Sequence, residues 1–324
     1  MRSTVGISGL QAGEDVNDSD SLPHPQLPLS WLAEMTDWGV LRLTGKDARK
    51  FLHSQGTADL AHLDSGHSLP YATLSLKGRV MELMHLLPWQ DDVLLLMPRP
   101  CIPGYMQRMK PYLAFSQAHL EDVSSHWRVL ISADAGDGGG ILHQVTTSGR
   151  AIASWLDARH RLWACPDDEQ PIELATYAPA EQTTGVAALI NMGRAIITPP
   201  LQDHYLPQML HLQVLQGLSF NKGCYTGQEV VARAWFRGQI KQSLHHYQAP
   251  VAGRHDVAAP ILNSSLRPVG EILQAAACGD HLELLAVLRD ESSEDELYLE
   301  DSPYKLQHIP LPYAITHFEH RQTE

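Results

Sequence analysis

The chain has 324 residues, 44% hydrophobic and 19% charged, the balance of an ordinary folded protein long enough for two or three domains. Its formal net charge of −13 argues against a broad nucleic-acid-binding surface, because phosphate contacts need clustered Lys and Arg. No apolar run approaches the roughly 18 residues of a membrane span, and four scattered cysteines (Cys101, Cys165, Cys224, Cys278) make neither a disulfide framework nor a CxxC pair, which fits a reducing cytoplasm.

Residues 1–26 carry Glu14, Asp15, Asp18 and Asp20 against a single arginine, Arg2. That acidity, without an apolar stretch, reads as a disordered tail rather than an import or secretion signal. Order is expected to begin near Leu27. "WGVLRLTG" (Trp38 to Gly45) alternates as a half-buried strand, and the T-x-x-D of Thr44 and Asp47 predicts a capped helix running to Gln55, with Gly56 as its stop. "VMELMHLL" and "DVLLLM" predict two strands joined by a hairpin turn at "PWQDD". "IPGYMQRMKPYLAF" predicts a short helix interrupted at Pro111.

"DAGDGGG" (Asp134 to Gly140) is a loop, since it lacks the GK[ST] ending of a phosphate-binding loop. The second half opens with an apolar run at Val186 to Ile190 and a proline-bounded segment, "ITPPLQDHYLPQML". After Gly238, short strands with turn signals ("HHYQAPVAGRHDV", "LELLAVLRD") predict a small β-domain. The acidic run "DESSEDELYLED" reads as a solvated loop and strand edge. The histidines lack the spacing and companion ligands of a metal site, His245-His246 and His317/His320 included, so no metal is assigned.

The most informative stretch is "KGCYTGQEVVAR", Lys222 to Arg233. Thr226 and Glu229 fit a capping box, which predicts a helix with Val230, Val231 and Ala234 on its buried face and Gly238 as its stop. Glu229 and Arg233 stand four apart on another face. Cys224 then falls just before a helix N-terminus, where free N–H groups favour a thiolate. Lys222, Arg233, Arg237 and Lys241 against Glu229 make the segment locally +3, suited to a small anion or one nucleic-acid strand. Cysteine is also among the most buried residue types, so packing is the competing reading for Cys224. No carboxylate beside a histidine marks an activated nucleophile.

"SFNKGCYTGQEVVARAWFRGQIKQSL" resembles the signature of the bacterial YgfZ proteins, folate-binding relatives of the glycine-cleavage aminomethyltransferase (T-protein), often described as tRNA-modifying. "DWGVLRLTGKDARKFLHSQGTADL", "LKGRV", "PYLAFSQAHLEDV" and "PLPYAI" are similar to other parts of that family, and the likeness spans about Leu27 to Ile315. The resemblance implies an α+β, three-lobed fold around a central channel. In it, 27–240 would form two interleaved α/β-type lobes (27–65 with 175–240, and 66–174), and 241–324 a C-terminal β-barrel.

The resemblance further implies tetrahydrofolate or a related folate as cofactor, iron–sulfur enzymes such as a tRNA methylthiotransferase as partners, and an accessory role; the acidic chain with one basic patch argues against extensive tRNA contact. It places a folate-contacting aromatic at Trp38, and puts Lys222, Gly223, Cys224, Tyr225, Gly227, Gln228, Glu229 and Arg233 in the functional motif. Two departures stand out. A second folate-contacting tryptophan aligns with Gly185, and the family's Glu-Ala-Gly reads Asn191-Met192-Gly193. An aminomethyltransferase activity is the alternative, but the strand after the glycine turn reads Arg79-Val80-Met81-Glu82 where such enzymes carry a catalytic aspartate. A thiol-based transferase, or a transient cluster ligand, using Cys224 as the candidate catalytic group is a third reading.

Overall fold

The structure, a computed structural model, describes residues 30–135, 142–238, 240–293 and 295–315. The expected tail (1–26), residues 136–140 of the glycine-rich loop and His317 and His320 lie outside the described residues.

Among the described residues, three sheets build the fold. The first combines β1 (Trp31–Glu34), β7 (Trp127–Ala133), β8 (Val145–Ser148), β9 (Ala151–Trp155), β10 (His160–Pro166) and β11 (Ala178–Ala180) in the order β11-β1-β7-β10-β9-β8. Only its β1–β11 pair is parallel. The second, antiparallel throughout, holds β2 (Trp38–Thr44), β3 (Leu69–Leu74), β4 (Val80–Trp89), β5 (Asp92–Pro98) and β6 (His119–Asp122) in the order β3-β4-β5-β2-β6.

The near-continuous apolar run of β5 follows from burial on both faces. Leu95 and Met97 pack with Phe51 and Leu52 of α1 (Ala48–Gln55) and Tyr105 of α3 (Ile102–Leu113). Leu94 and Leu96 pack with Val129, Ile131 and Leu162 of the first sheet. A short turn of helix, α2 (Ala61–Asp64), adds Leu63 to the helical side.

The third sheet contains β12 (Gln242–Pro250), β13 (Pro260–Asn263), β14 (Pro268–Cys278), β15 (His281–Arg289), β16 (Leu297–Leu299) and β17 (Gln307–Ile309), ordered β16-β13-β14-β15-β12-β17. Its two edges meet: Tyr298 bridges Lys305, and the Leu306 N–H donates to the Leu297 carbonyl (2.7 Å), so the sheet curls toward a barrel. Between the sheets runs α4 (Gln182–Asn191), whose Ala188 and Leu189 face the first core and whose Ala187 and Ile190 face the third sheet. The last helix, α5 (Gln228–Phe236), carries the signature. The fold is α+β with several lobes. Among the described residues no helix is long and apolar enough to cross a membrane.

Three local expectations are corrected. Pro111 does not interrupt α3, which continues to Leu113. The proline removes one donor near the last turn, and the Ala114 N–H still closes on the Lys110 carbonyl (3.3 Å). Thr44 does not cap α1. It ends β2, and the N-cap is Asp47, whose carboxylate instead accepts the Gln117 N–H (2.8 Å). Thr226 does not cap α5 either: Gly227 is the N-cap, with φ +81° and no side-chain capping bond.

Candidate functional site

The signature folds as a loop docked on two glycine-bearing turns. Lys222 reaches into the segment after α1, where its Nζ donates to the carbonyls of Gly56 (2.6 Å) and Ala58 (2.8 Å). The same segment is tied back by Thr57, whose Oγ1 donates to the Gly217 carbonyl (2.6 Å) and whose carbonyl accepts the Ser219 N–H (2.9 Å). The Tyr225 ring lies 5.2 Å from Lys222 Nζ, a cation–π contact. Burial brings the Lys222 pKa down to about 8, with Asp59 opposing. Burial likewise lifts Tyr225 to about 12, and its hydroxyl has no hydrogen-bond partner among the described residues. His53, beside Gly223, is lowered by burial and then by Lys222.

The start of α5 presses on the β3–β4 turn. A Cβ on Gly227 would lie 2.7 Å from the Ser75 carbonyl oxygen and 2.9 Å from Gly78 Cα, while its φ of +81° suits glycine alone. That close approach, not a capping box, explains the glycine. Glu229, freed from capping, pairs with Arg233 (2.7 Å) at an exposed surface. Val231 is buried, but Val230 is 39% exposed, so the helix buries a narrower face than its pattern implies. Arg233 and Arg237 are exposed, and Phe220 stacks on Trp235 (5.2 Å, 18°) beside them. Cys224 is exposed, held between Gly223 and the buried Tyr225. Among the described residues no histidine or carboxylate is hydrogen-bonded to its sulfur.

Trp38 stands elsewhere. It lines a pocket at the junction of the lobes, with Leu83 and His85 of β4, Leu162 of β10, Leu189 of α4, and Arg194 just beyond α4. No described residue of the signature lines this pocket. Its far wall is fixed by Gln274 of β14, which accepts the Ile196 N–H (2.7 Å) and donates to the Arg194 carbonyl (3.2 Å).

Behind His85 lies a buried polar cluster. His85 Nε2 is 2.9 Å from Ser68 Oγ, which also contacts Ser154, and His143 Nε2 is 3.3 Å from the Leu215 carbonyl. Burial lowers both histidines, His143 to about 3, so they are neutral near pH 7. Arg194 is 8% exposed and is lowered by burial to about 10.

These placements change two inferences. Gly185 does not face the pocket: a Cβ there would lie 2.7 Å from Met35 Sδ and 3.4 Å from the Ala33 Cβ, so it packs α4 on β1. Asn191 is exposed and not among the lining residues. Neither position lines this pocket.

The pocket fits part of a folate. Trp38 offers an aromatic face, the leucines an apolar lining, and Arg194 a donor fork for carboxylate or carbonyl oxygens. Its open core, ≈ 50 Å³, is well below the roughly 300 Å³ of a typical whole-ligand site, so it matches an end group rather than the entire molecule. Sequence reasoning missed Arg194 and His85. The available signal for Arg194 was an arginine embedded in "NMGRAII", directly after a buried helix.

Glu82, in the strand after the glycine turn, is fully buried and saturated. It accepts hydrogen bonds from Thr73 and from Gln202 (3.0 Å) and pairs with Arg108.

The three-sheet arrangement is that of a known class of folds, the aminomethyltransferases. It superposes on glycine cleavage system aminomethyltransferase T from Bartonella henselae with a TM-score of 0.66. The match covers 89% of this chain and 87% of that one at 12% identity, a likeness of fold alone. Sequence narrows the class. The chain is 28% identical over 275 residues to the tRNA-modifying protein YgfZ of Colwellia psychrerythraea, covering 80% of this chain and 85% of that protein. It is 28% identical over 321 residues to the Sodalis glossinidius protein of the same name (91% and 96%). With that of Edwardsiella ictaluri the figures are 29% over 320 residues (90% and 95%). No family model matches the chain. The likeness to YgfZ proteins read from the signature thus extends over most of the chain.

Proposed function

We propose that the chain is a folate-dependent accessory protein of tRNA modification, acting in the cytoplasm on an iron–sulfur enzyme through the face that presents Cys224. The observation that carries this reading is the build of the signature loop. Lys222 anchors the loop internally through Gly56 and Ala58, while Cys224 is left exposed, as are Arg233 and Arg237 of the helix that follows. A loop fastened by one inward-reaching cation, with its thiol outward, suits contact with a partner better than turnover by an internal base. The similarity to proteins named tRNA-modifying supports the pathway, and four unpaired cysteines support a reducing compartment.

In this reading Trp38 and Arg194 hold the folate, which supplies one-carbon or redox-active pterin chemistry when bound. Lys222 and Tyr225 fix the loop, and Cys224 makes the outward contact. The aminomethyltransferase reading is weaker, because the only carboxylate in the matching strand, Glu82, has its oxygens taken by Thr73, Gln202 and Arg108. The test is a deletion strain. It is expected to lose tRNA methylthiolation while glycine cleavage survives, and a Cys224→Ala gene is expected not to restore the modification although the variant melts as the parent does. Normal methylthiolation in the deletion strain would refute the proposal.

A further inference from the structure

Arg194 is a buried cation with almost nothing to hold. Its guanidinium carries five N–H donors, yet its one side-chain hydrogen bond among the described residues runs to the Leu156 carbonyl (2.7 Å). No carboxylate forms an ion pair with it there. Asp157 is the carboxylate whose charge acts on it, and that carboxylate is occupied by the His160 ring (2.8 Å) and the backbone N–H groups of Arg159 (2.7 Å) and His160 (2.6 Å). With one carbonyl on a fork of five donors and no ion pair, the guanidinium keeps donors free for a group from outside the chain.

The surroundings specify that group. Arg194 lines the same pocket as Trp38, its charge acts on His85 of the lining, and apolar walls include Leu83, Leu156, Leu162, Leu189 and Ile196. His85, the other titratable lining group, is held neutral by burial, so the pocket carries one positive charge. One charge in an open core of ≈ 50 Å³ matches a planar monoanion, and a guanidinium fork matches a carboxylate in both spacing and plane. A phosphate would bring a second negative charge for which the lining has no cation.

We infer that the Arg194 side of this pocket is a carboxylate-binding site, taking an aromatic acid whose ring lies against Trp38 and whose carboxylate pairs with the guanidinium. Applied to the folate reading, on which the choice of probes rests, one carboxylate of the aminobenzoyl-glutamate end seats on Arg194 and its second carboxylate stays outside the narrow core, in water.

The experiment is calorimetric titration of the full chain with N-(4-aminobenzoyl)glutamate, with its uncharged diamide, with tetrahydropterin lacking the tail, and with tetrahydrofolate. The diacid is expected to bind at least about tenfold more tightly than the diamide, the range set by a charge-assisted hydrogen bond in a buried site. Arg194→Gln is expected to bring the diacid down to the diamide's affinity and leave the diamide unchanged. Equal binding of diacid and diamide to the unmodified chain overturns the inference, as does full diacid affinity in a folded Arg194→Gln. If that variant does not fold, the diacid–diamide comparison decides alone.

The folate reading fails separately. Arg194-dependent diacid binding without tetrahydrofolate binding removes folate and keeps the carboxylate site. Tetrahydrofolate and tetrahydropterin binding that ignores Arg194 keeps folate and removes the site.

Discussion

Lys222 is a half-buried cation and Arg194 a buried one, and the chain treats them in opposite ways. Lys222 is given two backbone carbonyls and an aromatic face, so its charge is spent on joining the signature loop to the segment after α1. Arg194 is given one carbonyl, and the rest of its fork faces an apolar pocket. The difference separates a structural cation from a receiving one: the first is satisfied by the fold, the second waits for a solute.

The sharpest way to break this contrast is Lys222→Met, which keeps the stem on Tyr225 but leaves the buried Gly56 and Ala58 carbonyls without their donor. A loss of about 3 kcal/mol in urea unfolding is expected, from two charge-assisted hydrogen bonds. A neutral result would mean that the loop holds without its lysine.

Next in size is an acid effect beside Arg194. His143 binds a proton at 6.5 when unfolded but only near 3 when folded. The unfolded chain therefore holds more protons between those values, and stability falls as pH drops through 6.5. The loss reaches about 2 kcal/mol at pH 5 for this residue, with His85 adding in the same direction. Denaturant midpoints from pH 7.5 to 5 measure it, and His143→Gln is expected to flatten the slope.

Arg194→Met is expected to move the other way, stabilising the ligand-free chain by about 1 kcal/mol, since a buried charge with one bond is replaced by packing. A destabilised Arg194→Met would place the arginine with Lys222 as a structural group. Smallest is Glu229→Gln. Its pair with Arg233 is at the surface, and a change under about 0.5 kcal/mol by thermal melting is expected.

Much of the frame was legible in the residues. The alternation of Trp38 to Thr44, the end of α1 at Gln55 and the β4–β5 hairpin follow from local pattern and turn chemistry. What stayed hidden depends on neighbours distant in the chain. Lys222 finds its carbonyls 166 and 164 residues away, and no spacing rule reaches that far. The Thr226-to-Glu229 pattern satisfied a capping template, yet the approach of Gly78 to Gly227 decided the helix start. Gly185 aligned with a ligand-facing residue but packs on Met35, because alignment gives position without direction. Arg194 looked like one polar residue in an apolar run, since its lack of partners exists only in three dimensions.

Gln274 has a consequence for how the protein is made. Its amide holds both Arg194 and Ile196, so the pocket wall is finished by a strand that leaves the ribosome long after Trp38, His85 and Leu162. Contacts of such sequence separation form slowly. A nascent chain halted before residue 274 can pair β2 with β5 but lacks the amide that fixes Arg194 and Ile196, so this wall of the pocket is completed late in synthesis, when the third sheet docks.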